Sequence, residues 1–179
     1  MADSATESDK FTVLQAMHDP TLFTPLYQKY LLPVYKYVFS KVFDALVAED
    51  ITSQTFMTAL QSLPALRQPE RFSSWLFSIA HNKTMDWFRQ QKHQVQLEQE
   101  SEGKFIAGDA DPQFDEVVWL RKIIGGLDKT DQEILRLRFV ANLTFSETAG
   151  VMMSTENKVK KRYYRLIEHL RNLMEVDHD

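Results

Sequence analysis

Apolar residues recur three and four positions apart along most of this chain, the spacing that gathers them on one face of an α-helix. Over residues 22–42 the positions Leu22, Phe23, Leu26, Tyr27, Tyr30, Leu31, Val34, Val38 and Val42 keep that spacing. Thr24 followed by Pro25 predicts an N-cap with a first-turn proline, and Pro33 predicts a kink or a break. A second helix is predicted over 46–63, with Val47, Ile51, Thr55, Phe56, Ala59, Leu60 and Leu63 on one face. Its other face shows Asp50, Ser53, Met57 and Gln61. Residues 64–71 place Pro64 and Pro69 among Arg67, Gln68, Glu70 and Arg71, which is loop chemistry. A third helix is predicted over 73–91, burying Phe72, Trp75, Leu76, Ile79, Ala80 and Trp87 and presenting Asn82, Lys83, Asp86 and Arg89.

The periodicity then stops. Residues 93–112 are polar, acidic and glycine-bearing, and they read as a linker. It resumes near Gln113, where Val117, Leu120, Ile123, Ile124 and Leu127 predict an amphipathic helix. Thr130-Asp131-Gln132-Glu133 is a capping-box pattern ahead of Ile134, Leu135, Leu137 and Phe139, and Thr144-Phe145-Ser146-Glu147 repeats it. The chain is therefore expected to be all-α, with two small helical domains and a flexible joint. The boundaries are a tail at 1–20, a first domain at 21–92, a linker at 93–113 and a second domain at 114–175.

After the cap at Thr144 a short helix reaches a turn at Met153 and Ser154, and Thr155 is placed to cap the next helix. In that helix Val159, Tyr163, Leu166, Ile167, Leu170 and Leu173 form the buried stripe. Glu156, Asn157, Lys158, Lys160, Lys161, Arg162 and Arg165 are left largely free, so cations flank the core stripe for more than two turns. In a helix-turn-helix the first turns of the second helix meet base edges while flanking cations hold phosphates. Asn157, Lys158 and Lys161 are expected nearest bases, and Lys160, Arg162 and Arg165 nearest phosphates. A solvated face on a bundle helix is the plainer reading. Two capped helices before it and few acids within it favour DNA contact.

Composition constrains this picture. A chain of 179 residues, 44% hydrophobic, can build one ordinary domain or two small ones. There is no cysteine, which removes a disulfide framework, thiolate metal sites and thiol nucleophiles and suits a reducing cytoplasm. The N-terminus MADSATESDK is polar and acidic, and no apolar run is long enough to cross a bilayer, so no targeting or anchoring is expected. The five histidines are scattered without ligand spacing, and no phosphate loop or nucleophile motif is present, so neither catalysis nor a metal or cofactor is expected. His81, beside Asn82 and near Asp86, is the one cluster worth naming. The net charge of −4 conflicts with unaided DNA binding, whose nonspecific affinity comes mostly from basic side chains. Either the charge is segregated or a partner helps to hold the DNA.

With both halves read, the chain resembles the extracytoplasmic-function group of bacterial sigma factors, the promoter-recognition subunits of RNA polymerase. LYQKYLLPVYKYV, AEDITSQTFMTAL and RFSSWLFSIAHNKTMDWFRQQK look like the family's region two, through Ala48-Glu49-Asp50, Phe56, Trp75-Leu76, Ile79-Ala80, Asn82, Asp86 and Arg89 in register. LDKTDQEILRLRFVANLTFSETA followed by NKVKKRYYRLIEHLR looks like region four, which reads the minus-thirty-five element. Two departures stand out. The family often has Gln and an acid where this chain has Ser53 and Gln54, and its turn usually reads Gly-Ile-Ser where this chain has Met153-Ser154-Thr155. Without glycine, a positive φ at that turn would be strained.

The resemblance implies an alternative sigma factor whose partners are core RNA polymerase, promoter DNA and an anti-sigma factor. The helix bearing Glu49, Asp50, Ser53 and Met57 would dock on polymerase, although Asp50 could instead cap or pair locally. The loop and helix carrying Arg67, Arg71, Asn82, Lys83, Arg89 and Lys92 would hold the minus-ten element, where opened strands need cations and pockets for unstacked bases. Trp75 is placed in the core by its spacing, and Asn82 and Asp86 could equally bond each other. Thr155, Asn157, Lys158, Lys160, Lys161, Arg162 and Arg165 would meet the minus-thirty-five element. The linker would thread a basic channel of the enzyme or serve as a plain tether. The acidic balance is then no obstacle, because polymerase supplies much of the grip. The alternative is an autonomous helix-turn-helix regulator whose first half senses a ligand or dimerises.

Overall fold

The computed structural model describes residues 2–98 and 125–176, and these residues form helices and turns with no strand among them. The first helix, α1 (Ala2–His18), lies where the sequence predicted a tail. Its polar, acidic start conceals a short apolar face, and Val13 and Ala16 are buried in the core. Asp9 fastens it, accepting hydrogen bonds from Lys29 Nζ at 2.6 Å and Tyr30 Oη at 2.6 Å.

A 3-10 turn at Pro20–Phe23, capped by Asp19 through the Thr21 amide at 2.9 Å, runs directly into α2 (Thr24–Val42). Thr24 is therefore not the N-cap that was expected. The preceding residue, Phe23, is already helical, so there is no extended residue for a side chain to cap from. Nor does Pro33 break the helix, which is continuous through it. The lost hydrogen bond is outweighed by Tyr30 and Leu26 on one side of it and Val34, Tyr37 and Val38 on the other, all buried. The helix ends where Phe43 turns left-handed at φ 53°.

Asp44 then caps α3 (Ala45–Ser62) by accepting from the Val47 amide at 3.0 Å. Ala48, Ile51, Thr52, Thr55, Phe56 and Ala59 turn inward. The proline-bearing stretch forms two 3-10 turns, Leu63–Ala65 and Pro69–Arg71, ahead of α4 (Phe72–Glu98). That helix continues past residue 93, where the linker was expected to begin, and the remainder of the linker lies outside the described residues. Phe72, Leu76, Phe77 and Ala80 fill the space between α2 and α4, with Phe77 edge-on to Tyr37 at 5.5 Å.

Most of the helix expected to open the second half also lies outside the described residues. The first helix described there, α5 (Lys129–Leu135), is capped by Asp128, which accepts from the amides of Thr130 at 2.8 Å and Asp131 at 3.1 Å. The capping box expected at Thr130–Glu133 is absent, because Asp128 already takes those amides and Glu133 is drawn into the interior. A wider π turn at Arg136–Val140 follows. The box expected at Thr144 does form on α6 (Phe145–Val151): Glu147 N donates to Thr144 Oγ1 at 3.2 Å, and Thr144 N donates to Glu147 Oε2 at 2.7 Å. The last helix is α7 (Glu156–Val176).

Residues of both halves share one apolar core. Leu137, Ala141, Leu143 and Val151 join the same apolar core as Leu26, Val34, Tyr37 and Phe77. A smaller cluster of Ile134, Ala149 and Val159, with Phe145 and Tyr163 against it, holds α5, α6 and α7 together.

Candidate nucleic-acid interface

The turn between α6 and α7 sets the angle of the basic helix. Ser154 N donates to Ala149 O at 2.9 Å, and Met153 adopts φ 49°, the left-handed region in which a non-glycine residue costs about 1–2 kcal/mol. The positive φ expected from the family's glycine is thus kept with methionine in its place, and that side chain stands 91% exposed at the mouth of the turn. Arg138 braces the motif from behind. Its guanidinium donates to Leu143 O and lies 4.2 Å from the Phe145 ring centre and 5.7 Å from that of Tyr163.

On α7, Val159 and Leu166 are buried while Asn157, Lys158, Lys161 and Arg165 are exposed, as is Thr155 immediately before the helix. Lys160 is half-buried, paired with Glu156 at 2.6 Å and 5.8 Å from the Phe145 ring centre. A surface pair one turn apart contributes only a few tenths of a kcal/mol and yields readily to a phosphate. Arg162 also has partners within the chain. Its Nε donates to Asp131 at 2.5 Å and its Nη2 to Asp128, the residue that caps α5. Both acids hold it toward the protein, where it ties α7 to the start of α5. Spacing alone could not separate Arg162 from Arg165. The acids Asp128 and Asp131 were visible in the sequence, but not their position beneath α7.

In the first half, the residues expected to face polymerase share the outer side of α3. Glu49, Asp50, Ser53 and Met57 are exposed, Met57 by 61%, with Leu46 and Leu60 extending the apolar part of the strip. Asp50 accepts from Gln54 Nε2 at 2.8 Å, an exposed bond that leaves its carboxylate accessible. Asp44, not Asp50, caps the helix.

The residues expected at the minus-ten element fall in two groups. Arg67 and Arg71 are exposed on the loop between α3 and α4, while Asn82, Arg89 and Lys92 are exposed and Lys83 is half-buried on α4. Asp86 pairs with Arg89, the more accessible neighbour, and not with Asn82. Trp75 packs beside Phe72 with ring centres 5.8 Å apart, the core position its spacing implied.

The cluster that sequence reasoning undervalued is around His81. The expected neighbours Asn82 and Asp86 are not its partners. Its Nδ1 lies 3.0 Å from Glu133 Oε1, and Glu133 also accepts from Tyr37 Oη at 2.5 Å and Lys41 Nζ at 2.8 Å. The Lys41 and Glu133 side chains are 5% and 11% exposed. Arg136 adds a hydrogen bond to Ser40 O at 3.2 Å. Burial alone would raise the Glu133 carboxyl, but the His81 hydrogen bond, then Lys41 and Tyr37, hold it down at about 2. Burial, followed by the Glu133 charge, pushes the Tyr37 hydroxyl well above its ordinary value. Lys41 moves down, because burial disfavours its charge more than Glu133 restores it. This is a buried charge network between the two halves. No signal in the sequence joined residues so far apart in the chain.

Among the described residues no group of His, Asp or Glu is arranged to hold a metal ion, and no helix is long and apolar enough to cross a membrane. The family model for sigma-70 region 2 matches residues 26–94, and that for sigma-70 region 4 matches residues 123–172. The chain is 29% identical over 164 residues to the ECF RNA polymerase sigma factor BldN of Streptomyces coelicolor, covering 87% of this chain and 61% of that one. It is 28% identical over 166 residues to the ECF RNA polymerase sigma factor SigX of Bacillus subtilis, covering 86% of this chain and 84% of that one. Two solved structures share the fold. One is CnrH in complex with the cytosolic domain of CnrY, with a TM-score of 0.70 and 21% identity over 94% of this chain and 98% of that one. The other is the sigma factor RpoE in complex with the anti-sigma factor NepR from Bartonella quintana, with a TM-score of 0.65 and 20% identity over 87% of this chain and 98% of that one.

Proposed function

From the premise that this chain belongs to the extracytoplasmic-function group of the sigma-70 family, we propose that it is an alternative sigma factor: it binds core RNA polymerase, directs it to particular promoters and initiates transcription there. The observation that carries this reading is the match of region two and region four, in that order, to two helical halves with separate exposed faces suited to the two tasks.

The domain at 21–92 docks on polymerase through Glu49, Asp50, Ser53 and Met57. An apolar centre rimmed by acids suits a partner surface with the opposite pattern. Arg67, Arg71, Asn82, Lys83, Arg89 and Lys92 of the same domain hold the minus-ten element. The domain at 114–175 reads the minus-thirty-five element, with Asn157, Lys158 and Lys161 at base edges and Lys160 and Arg165 at phosphates. Thr155 at the turn can donate its hydroxyl to the backbone. Arg162 keeps α7 at the right angle and does not touch DNA. The net charge of −4 is tolerable because polymerase provides most of the nonspecific grip. An anti-sigma factor is the expected regulator, the reaction chemistry belongs to polymerase, and the cytoplasm is where the chain works.

The test is transcription by core polymerase on genomic fragments, with and without the protein. Promoter-specific transcripts only in its presence support the reading. Specific duplex binding without polymerase, and no effect on transcription start sites, would replace it with the autonomous regulator.

A further inference from the structure

The region-two family model begins at residue 26, yet α1 (Ala2–His18) is built into the same helical half. Its buried side chains Val13 and Ala16 share a core with Leu63 and Phe72, and Met17 and Leu66 pack against that core. In this position α1 lies against both 3-10 turns, Leu63–Ala65 and Pro69–Arg71. These turns frame the loop that displays Arg67 and Arg71. The loop's own backbone bonds are short-range, Leu66 N to Leu63 O at 3.0 Å and Arg71 N to Gln68 O at 2.9 Å among them. Such bonds shape the turns, but the seating of the loop on the domain depends on what packs beneath it.

One line of contacts runs from α1 to that loop. Asp9, whose side chain is 15% exposed, accepts from Tyr30 Oη at 2.6 Å and from Lys29 Nζ at 2.6 and 2.7 Å, so both carboxylate oxygens are engaged. The Tyr30 ring stands edge-on to Phe72 with centres 5.5 Å apart, and Phe72 follows Arg71 in the chain. Both rings are buried. Without Asp9 the Tyr30 hydroxyl is a buried donor short of its acceptor, and a tilt of the ring toward another partner moves Phe72 in a close-packed core.

We infer that α1 is the support of the minus-ten loop, and that Asp9 is a positioning residue that sets Arg67 and Arg71 against the opened strand through Tyr30 and Phe72. The inference rests on the sigma-factor reading. A shift of about one ångström hardly changes a cation's attraction to phosphate, which falls slowly with distance, but it spoils a base contact whose hydrogen bonds tolerate only tenths. The loss from a slack loop therefore falls on base discrimination at the minus-ten element. Docking through the outer side of α3 and readout by α7 use other surfaces.

The test uses full-length protein reconstituted with core polymerase. Promoters selected for transcription from libraries randomised at the minus-ten element, and separately at the minus-thirty-five element, report base discrimination at each. Asp9→Ala should lower minus-ten discrimination about tenfold, while core affinity and minus-thirty-five preference stay within about twofold of wild type. Tyr30→Phe keeps the ring but removes the hydroxyl, and it should act in the same direction. Combined with Asp9→Ala it should add little, because both changes break one bond. Wild-type minus-ten discrimination in the folded Asp9→Ala protein overturns the inference. Equal losses at both elements overturn it as well, since they mark a general loosening of the fold. If Asp9→Ala does not fold, Tyr30→Phe decides, and unchanged minus-ten discrimination there is the overturning result. Should wild type direct no promoter-specific transcription, the sigma-factor reading fails and the inference falls with it, an outcome distinct from a wild type that transcribes beside a variant that discriminates normally.

Discussion

Replacing Glu133 by Gln keeps the shape of the side chain but removes its charge, and it does so among three donors. Lys41 Nζ lies 2.8 Å away, His81 Nδ1 3.0 Å and Tyr37 Oη 2.5 Å, around a side chain that is 11% exposed. Removing one partner of a buried pair costs about 3–5 kcal/mol, because the other charge stays buried and uncompensated. The carboxyl gives a similar figure: it is held at about 2 against an ordinary 4.5, a gap of roughly 2.5 units that corresponds to about 3 kcal/mol. The sign follows from the depressed value. The stabilisation is complete above about pH 4.5 and is lost as the pH falls toward 2, where the folded protein takes up the proton. Glu133→Gln mimics that protonated state at any pH. Wild type should therefore be about 3 kcal/mol more stable than the variant at pH 7, and the gap should shrink between pH 4.5 and 2. Urea denaturation followed by far-UV circular dichroism, with both proteins measured across that range, checks this. The difference between the curves isolates Glu133 from every other carboxylate that titrates in acid. A gap below about 0.5 kcal/mol at pH 7, or one that does not narrow in acid, would refute the reasoning.

Thr144→Ala removes one half of the capping box on α6 and should destabilise the protein by about 1 kcal/mol in the same denaturation assay. Alanine at Lys160 or Arg165 should each lower the slope of log affinity against log salt for promoter binding by about one, whereas Arg162→Ala should leave that slope unchanged and lower the melting temperature by loosening α7. Changing Lys158 or Asn157 should alter the minus-thirty-five preference selected from randomised promoters, and retention of the wild-type preference would remove both from base contact. Joint replacement of Asp50 and Met57 by Ala should weaken binding to core polymerase about tenfold or more, a loss of roughly 1.4 kcal/mol, without changing the thermal stability of the free protein.

Much of the fold could be read from local rules, because helix periodicity and caps depend on residues within one or two turns. The 3.6-residue pattern located α2, α3, α4 and α7, and Thr144-Phe145-Ser146-Glu147 located the start of α6. Reading failed where a local rule met a stronger neighbour. Thr130 heads a plausible capping box, but Asp128 took the free amides first, and Glu133 was needed elsewhere. Pro33 would break an isolated helix, but buried contacts on either side hold α2 together through it. The opening residues read as a tail because their charge obscured the few apolar positions, Val13 and Ala16 among them, that dock α1.

The candidate surfaces divide in the same way. Exposure of Glu49, Asp50, Ser53 and Met57, and of Asn157, Lys158, Lys161 and Arg165, follows from helix phase, since a buried stripe dictates which residues lie opposite it. Arg162 lies at the edge of the stripe, where phase is indifferent, and its pairing with Asp128 and Asp131 depends on how α7 packs against the start of α5. The order of elements, the amphipathic faces and the basic second helix of the helix-turn-helix were thus written in the chain, because each depends on spacing along it. Joining Tyr37, Lys41 and His81 to Glu133 belonged to tertiary structure alone. Those residues are far apart in sequence, and they acquire partners only when apolar burial brings the two halves together and strips water from the charges between them.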